Sequence, residues 1–207
     1  MRQFLAALLL CLAMPVSQAA LVDYGTYTTD TATNLDWLDL TQTNYFPYDY
    51  VSSQLGSGGQ WEGWRYASNA EATSLFLTLG FTISSTGGAI GTAPAGFSTA
   101  LSLFVSLFGD TLGLATNDGS YFGAFGVTAQ GTAPGSHQAM GAYTIGSGTG
   151  YQLATSPCCS QTDSSATIYT GHYLVRDSVA PVPLPAAAWL LLSGLAGLGV
   201  FGRRRTH

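Results

Sequence analysis

The hydrophobic and polar positions of this chain change period along its length. At the start of the regular region, Leu21-Val22-Asp23-Tyr24-Gly25-Thr26-Tyr27-Thr28 alternates and predicts a strand. Asp30 to Asn34 reads as a turn. Leu35 to Leu40, apolar at 35, 37, 38 and 40, reads as a strand with one irregular step. Val51 and Leu55 stand one helical turn apart within Tyr48 to Leu55, and Gly56 follows where a C-terminal cap belongs, so a short helix is predicted there. Ser68-Asn69-Ala70-Glu71 has the spacing of a capping box, with Ala72, Leu75, Phe76 and Leu79 forming the apolar face of the helix it opens. A third helical period, Leu101, Phe104, Val105 and Phe108, runs through Thr99 to Phe108, while Thr82 to Gly96 between these helices has no period and reads as a loop. After Asp110 the character becomes strand-like, between Gly-rich turns. Leu112 to Ala115, Tyr121 to Val127, Gln138 to Ile145, Tyr151 to Thr155 and Thr167 to Arg176 are predicted strands, the last with Tyr169, Tyr173 and Val175 inward and Thr170, His172 and Arg176 outward. The pattern is that of an α+β domain: antiparallel strands with two to three short helices.

Both ends depart from this pattern. Met1-Arg2-Gln3 is a short basic start, Phe4 to Met14 an apolar core and Ser17-Gln18-Ala19 a small-x-small cleavage pattern, so residues 1–19 read as a secretory signal peptide. At the other end, Ala186 to Gly202 is an uncharged run of 17 residues. As a helix it spans roughly 26 Å, the short end for a bilayer crossing. Arg203, Arg204 and Arg205 follow it and favour a cytoplasmic C-terminus. The expected organisation is a signal peptide (1–19), an extracytoplasmic domain (20–177), a linker and box (178–185), a transmembrane helix (186–202) and a basic tail (203–207).

Charge narrows the partners. The chain contains no lysine, and its eleven acidic residues all lie between the two ends, where only Arg65 and Arg176 oppose them, a net charge of −9. Such a surface repels nucleic acid. Two cysteines remain after export, Cys158 and Cys159, and they are adjacent. A vicinal disulfide, two free thiols and a crosslink to another chain are the three readings; the oxidising compartment favours the first.

The C-terminal stretch resembles a known family. A proline box (Val182, Pro183, Leu184, Pro185), a short Ala/Leu/Gly-rich helix and a terminal arginine cluster look like the PEP-CTERM sorting signal of Gram-negative bacteria, in its VPLPA variant. That resemblance implies passage through the Sec translocon, signal peptidase at one end and an exosortase, a membrane-embedded cysteine protease, at the box. It implies a destination at the cell surface or in the exopolysaccharide of a biofilm. A permanent C-terminal anchor is the alternative. A second likeness covers Asn34 to Thr43 and Gly63 to Glu71, which are similar to ectodomains common among PEP-CTERM proteins and, more distantly, to bacterial Lcl-type domains. The latter implies a C-type-lectin-like fold in which the opening strand pairs with Tyr169 to Arg176. Tyr66 and Ala67 stand where the distant relatives carry Leu and Pro.

Candidate chemistry within the domain is sparse. Asn117 and Asp118 offer oxygen ligands to a calcium ion (Ca2+), though a solvated turn before Gly119 explains them as well. A calcium-dependent carbohydrate-binding module is accordingly the alternative to a scaffolding role. Trp61, Trp64 and Arg65 form a candidate ligand platform, against the reading that the tryptophans fill the core and Arg65 pairs with Asp36, Asp39 or Glu71. For catalysis there are two histidines, His137 and His172, with no HExxH, no GxSxG and no phosphate-cradling loop. Asp36 and Asp39 are the carboxylates a secreted hydrolase would use. Binding, rather than catalysis, is the expectation.

Overall fold

A computed structural model describes residues 21–83, 89–91, 94–113, 121–131, 133–145, 150–154 and 160–179. The predicted signal peptide, Cys158 and Cys159, Asn117 and Asp118, Val182 to Pro185, the candidate transmembrane run and Arg203 to Arg205 lie outside the described residues.

The opening stretch is a hairpin rather than one strand. β1 (Leu21–Asp23) and β2 (Tyr27–Asp30) pair antiparallel across a turn in which Gly25 has φ +85° and donates its N–H to Asp23 Oδ1 at 2.6 Å. A left-handed residue there ends any continuous strand. β3 (Leu35–Leu38) follows antiparallel to β2, and the irregular step after it is a 3-10 turn, Leu40–Gln42. Helix α1 (Tyr48–Ser53) and strand β4 (Arg65–Tyr66) lead to α2 (Asn69–Thr78). The capping box opens α2 as the sequence predicts, Ser68 Oγ accepting from Glu71 N and Glu71 Oε2 accepting from Ser68 N at 2.8 Å. A strand, β5 (Ala89–Gly91), interrupts the predicted loop before α3 (Phe97–Phe108). Leu112 lies in a turn and Gly113 is helical, held by Asp110, whose Oδ1 accepts from Gly113 N at 2.7 Å; neither is in the predicted strand.

The remaining strands are β6 (Tyr121–Val127), β7 (Ser136–Ile145), β8 (Gly150–Ala154), β9 (Ser160–Thr162), β10 (Thr170–His172) and β11 (Leu174–Asp177). Among the described residues they complete two sheets. The first has the order β1-β2-β3-β11-β4 and is antiparallel throughout; the second runs β10-β6-β7-β8-β5, with β9 on β7 and β10 parallel to β6. The last strand therefore pairs with β3 and β4, not with the opening strand.

Thr167 to Arg176 fails as one alternating strand because the chain changes sheets at Tyr173. Tyr173 N bonds Val127 O in the second sheet at 2.9 Å and its carbonyl accepts from Ala67 N beside the first at 2.8 Å. Consequently Thr170 and His172 are buried, whereas Tyr169 is exposed. Tyr173 itself joins the layers, fully buried with its hydroxyl 3.2 Å from Met140 O.

The principal core lies between the sheets and takes the faces of α2 (Ala72, Leu75, Phe76) and α3 (Leu101, Phe104, Phe108). Leu35, Trp37 and Val175 point into it, while Leu38 and Leu174 face a second cluster with Val51, Trp61 and Tyr66. The first sheet is thus covered on both faces, which is why all of β3 is buried and its alternation weak.

Candidate functional site

An open cleft of about 550 Å³ separates α1 from the turn after β9. Val51 anchors the buried side of α1, so Asp49, Ser52 and Ser53 face the cleft. Opposite them, Gly135, His137 and Asp163 complete the lining with Tyr48. The two banks are tied where Asp49 N donates to Asp163 O at 3.0 Å.

His137 is held on every side. Nε2 stands 2.8 Å from Asp163 Oδ1 and Nδ1 3.2 Å from the Ala129 carbonyl. The Tyr48 ring stacks on the imidazole at 3.3 Å and 10°, and stacks also on Tyr66 at 4.2 Å. The Tyr66 hydroxyl approaches Nδ1 of His172 at 2.8 Å, and Nε2 of His172 meets the Phe46 carbonyl at 2.9 Å. Burial pushes His172 down to about 4, against the pull of that carbonyl, so the ring is neutral at physiological pH. Burial also raises Tyr66, with Tyr48 and Asp49 adding to it, and raises Tyr48, where Asp163 adds to it. Each imidazole nitrogen therefore faces a group of the protein; for His137 both are acceptors, so a neutral ring donates to one of them at a time. Ser136 Oγ is buried without a hydrogen-bond partner, so no serine–histidine pair forms with its neighbour His137.

A second concavity of about 290 Å³ lies over the hairpin and β11, lined in part by Tyr24, Tyr27, Asp36 and Arg176. Arg176 Nε bonds Asp36 Oδ2 at 3.0 Å, and its guanidinium carbon sits 4.4 Å over the Trp64 ring and 4.9 Å over Tyr27. Tyr24 stacks on Tyr27 at 4.9 Å.

The predicted platform is divided by this arrangement. Trp61 is only 5% exposed and packs edge-on against Phe46 and Tyr50. Trp64 is half-buried and capped by Arg176, not Arg65. Arg65 forms a two-pronged bond to Glu71, at 2.7 and 3.1 Å. Asp36 and Asp39 do not share a site with a histidine: Asp36 serves Arg176 and Thr29, and burial with the charge of Asp23 pushes Asp39 up to about 6. No local pattern marks Asp163 in the sequence, because its pairing with His137 depends on β9 returning along β7. Among the described residues, no three His, Cys, Asp or Glu side chains converge to hold a metal, and no helix is long and apolar enough to cross a membrane.

No family model matches this chain, and neither a curated protein nor a solved structure matches it.

Proposed function

We propose that this is an exported bacterial surface or matrix protein whose α+β ectodomain acts by binding or scaffolding, not by catalysis. Delivery rests on the sequence of the two ends: the signal peptide for the Sec route, and the Val182-Pro183-Leu184-Pro185 box with its apolar run and arginines for an exosortase. The destination is the cell surface or the exopolysaccharide around it. A C-type-lectin-like reading of the fold goes with this proposal. It is supported by the last strand lying in the same sheet as the N-terminal hairpin, with α2 and α3 packed into the common core.

One observation carries the binding reading: His172 is buried with both nitrogens engaged, and both nitrogens of His137 face oxygen atoms of the protein itself at hydrogen-bond distance. A general base needs a nitrogen within reach of substrate. What the domain offers to solvent instead is a broad cleft of carboxylates and hydroxyls.

Two measurements test the proposal on protein recovered from the native surface. Its intact mass is expected to end between Val182 and Pro185; a mass retaining Trp189 to His207 refutes processing and makes the chain a membrane-anchored protein. The recovered protein is expected to be retained on the organism's own exopolysaccharide without consuming it. Release of shortened sugar chains, abolished by Asp36→Asn or Asp39→Asn in a folded variant, would make it a hydrolase.

A further inference from the structure

The outer face of the second sheet carries a third hollow, of about 270 Å³, away from the histidine cleft in its lining residues. Its floor is Phe125 and Ala139, both buried. Register explains why a hollow forms. Phe125 on β6 stands opposite Gly141 on β7, and a Cβ at Gly141 would come within 2.7 Å of the Phe125 ring, so the ring lies across the bare glycine. Gly123 likewise stands opposite Tyr143. Two glycines thus lower the sheet surface beside Phe125 and Tyr143.

Tyrosines make the walls. Tyr121 and Tyr143 sit 5.9 Å apart at 56°, Tyr143 and Phe125 5.5 Å apart at 53°, and Tyr169 rises on another side, 42% exposed. The wall is fixed to the floor through Thr111, whose hydroxyl donates to Tyr169 O at 2.7 Å and accepts from Phe125 N at 3.0 Å. One end is polar. Gln161 Nε2 donates to Thr167 Oγ1 and Thr170 Oγ1, at 3.1 and 2.9 Å, which uses both amide hydrogens and fixes the side chain with Oε1 as an acceptor. Among the described residues, no charged side chain lines the hollow.

These features select a ligand. The uncharged, aromatic character of the described lining favours a neutral molecule. The volume falls just below the roughly 300 Å³ at which drug-sized ligands begin, so one ring fits and a chain does not. Flat π faces with an amide and hydroxyls at one end match a molecule with a C–H face and a hydroxyl rim. A phenylalanine side chain from a protein partner would cover the walls but leave the Gln161 acceptor unmatched, and a tyrosine would bring a single hydroxyl where a sugar ring brings several.

We propose that the hollow walled by Tyr121, Tyr143 and Tyr169 over Phe125 binds one neutral sugar ring, such as a terminal or branch residue of a polysaccharide, without a metal ion. This rests on the binding-module reading and gives it a site. The ring stacks on tyrosine and donates a hydroxyl hydrogen to Gln161 Oε1. Preorganisation through Thr111 and the two threonines about Gln161 limits the ordering cost on binding.

The test uses the full chain in micelles of a detergent without a sugar headgroup. The probes are methyl glucoside, methyl galactoside, methyl mannoside and methyl N-acetylglucosaminide, with binding read by saturation-transfer NMR and titration. At least one is expected to bind with a Kd of about 0.1–10 mM, the range open to so few contacts. Tyr169→Ala and Gln161→Leu are each expected to weaken that binding tenfold or more, Tyr169→Phe less than threefold, and EDTA not at all. Leu77→Ala, on the exposed face of α2, is expected to change nothing. Tyr169 is exposed enough that its loss leaves folding intact, which a thermal melt checks. Absence of binding by every probe overturns the proposal, as do loss with EDTA, indifference to both Tyr169→Ala and Gln161→Leu, and preferential binding of N-acetyltyrosine amide. If every probe fails while the protein is still retained on native exopolysaccharide, only this site is lost; failure of both removes the binding-module reading as well.

Discussion

The Tyr66 hydroxyl and Nδ1 of His172 lie 2.8 Å apart, and the opposite nitrogen of the ring faces the Phe46 carbonyl at 2.9 Å. A carbonyl only accepts, so Nε2 carries the proton and Nδ1 accepts from tyrosine, an arrangement satisfied by a neutral ring. Burial holds His172 at about 4, below its ordinary 6.5. The unfolded chain therefore binds the extra proton first as pH falls. The contribution of His172 to stability is complete above pH 6.5 and is lost progressively towards pH 4, about 3 kcal/mol in all. Tyr66→Phe leaves Nδ1 without its donor and is expected to cost about 1–3 kcal/mol at pH 7 in urea denaturation. Imidazole NMR of the wild type is expected to show His172 still neutral at pH 5. A His172 titrating near 6.5 overturns this account.

Asp39 works in the opposite sense over nearly the same range. Burial, then the nearby Asp23, raises its carboxyl from 3.8 to about 6, and its Oδ1 has no hydrogen-bond partner. The folded state now holds the proton more tightly than the unfolded one, so stability is lost as pH rises from 4 to 6, by about 2–3 kcal/mol. Asp39→Asn is expected to stabilise the protein by about 1–3 kcal/mol at pH 7 and to be neutral at pH 3.5. Because the two groups oppose one another, the wild-type profile between pH 4 and 6.5 is expected to be shallow. In the Asp39→Asn background, stability should fall on acidification through that range; an unchanged shallow profile would show that His172 is not the opposing group.

What the sequence revealed follows from how far apart the cooperating residues lie. The capping box of α2 and the apolar face of α3 are set within a few positions, and the structure contains both where the pattern puts them. Strand β6 is legible as a strand-like run between Gly-rich turns, and its bounds match. The split of the last strand at Tyr173 is not, because burial continues from Thr170 through Val175 and only the partners, Val127 and Ala67, reveal that the two halves belong to different sheets. Pairing of β11 with β4 likewise brings Arg176 over Trp64, a contact across more than a hundred residues that no local period encodes. The choice of Glu71 for Arg65 was within reach, since the two are six residues apart at the mouth of one helix.

Glu71 combines two functions that can be separated. It accepts from Ser68 N at 2.8 Å to close the box, and it takes both prongs of Arg65. The Arg65 hydrogen bond, against the effect of burial and with help from Ser68, holds its carboxyl down to about 2. A depressed carboxylate contributes stability above about pH 4.5 that is lost as pH falls towards 2. Solvent around the half-exposed Arg65 reduces the pair to roughly 1 kcal/mol. Arg65→Met is thus expected to cost about 1 kcal/mol in low salt and less in 1 M salt. Ser68→Ala is expected to cost about 0.5–2 kcal/mol at any salt concentration, because a cap hydrogen bond is lost and not a screened charge. Equal salt dependence of the two variants would contradict that division.

Gly126 and Gly171 make a sharper comparison, since both face Leu40 but meet different parts of it. A Cβ at Gly126 would come 2.6 Å from Leu40 Cδ2 and from the Tyr173 ring, both side chains. A Cβ at Gly171 would come 2.1 Å from the Leu40 carbonyl oxygen, which is backbone. Side chains can shift within a core at a cost of about 1–3 kcal/mol. The carbonyl has less freedom, because Leu40 O accepts from Thr43 N at 3.2 Å within the 3-10 turn and the Thr43 hydroxyl in turn accepts from His172 N at 2.8 Å. Moving Leu40 away from Gly171 therefore disturbs the same turn that secures β10. Gly126→Ala is expected to cost about 1–3 kcal/mol and Gly171→Ala more than about 3 kcal/mol, read from urea midpoints at constant slope. The Gly171 variant should also release His172, raising its titration towards 6.5 in the folded fraction. A Gly171→Ala variant as stable as Gly126→Ala would mean that β10 and the 3-10 turn can separate without loss, and that the histidine is held by Tyr66 and Phe46 alone.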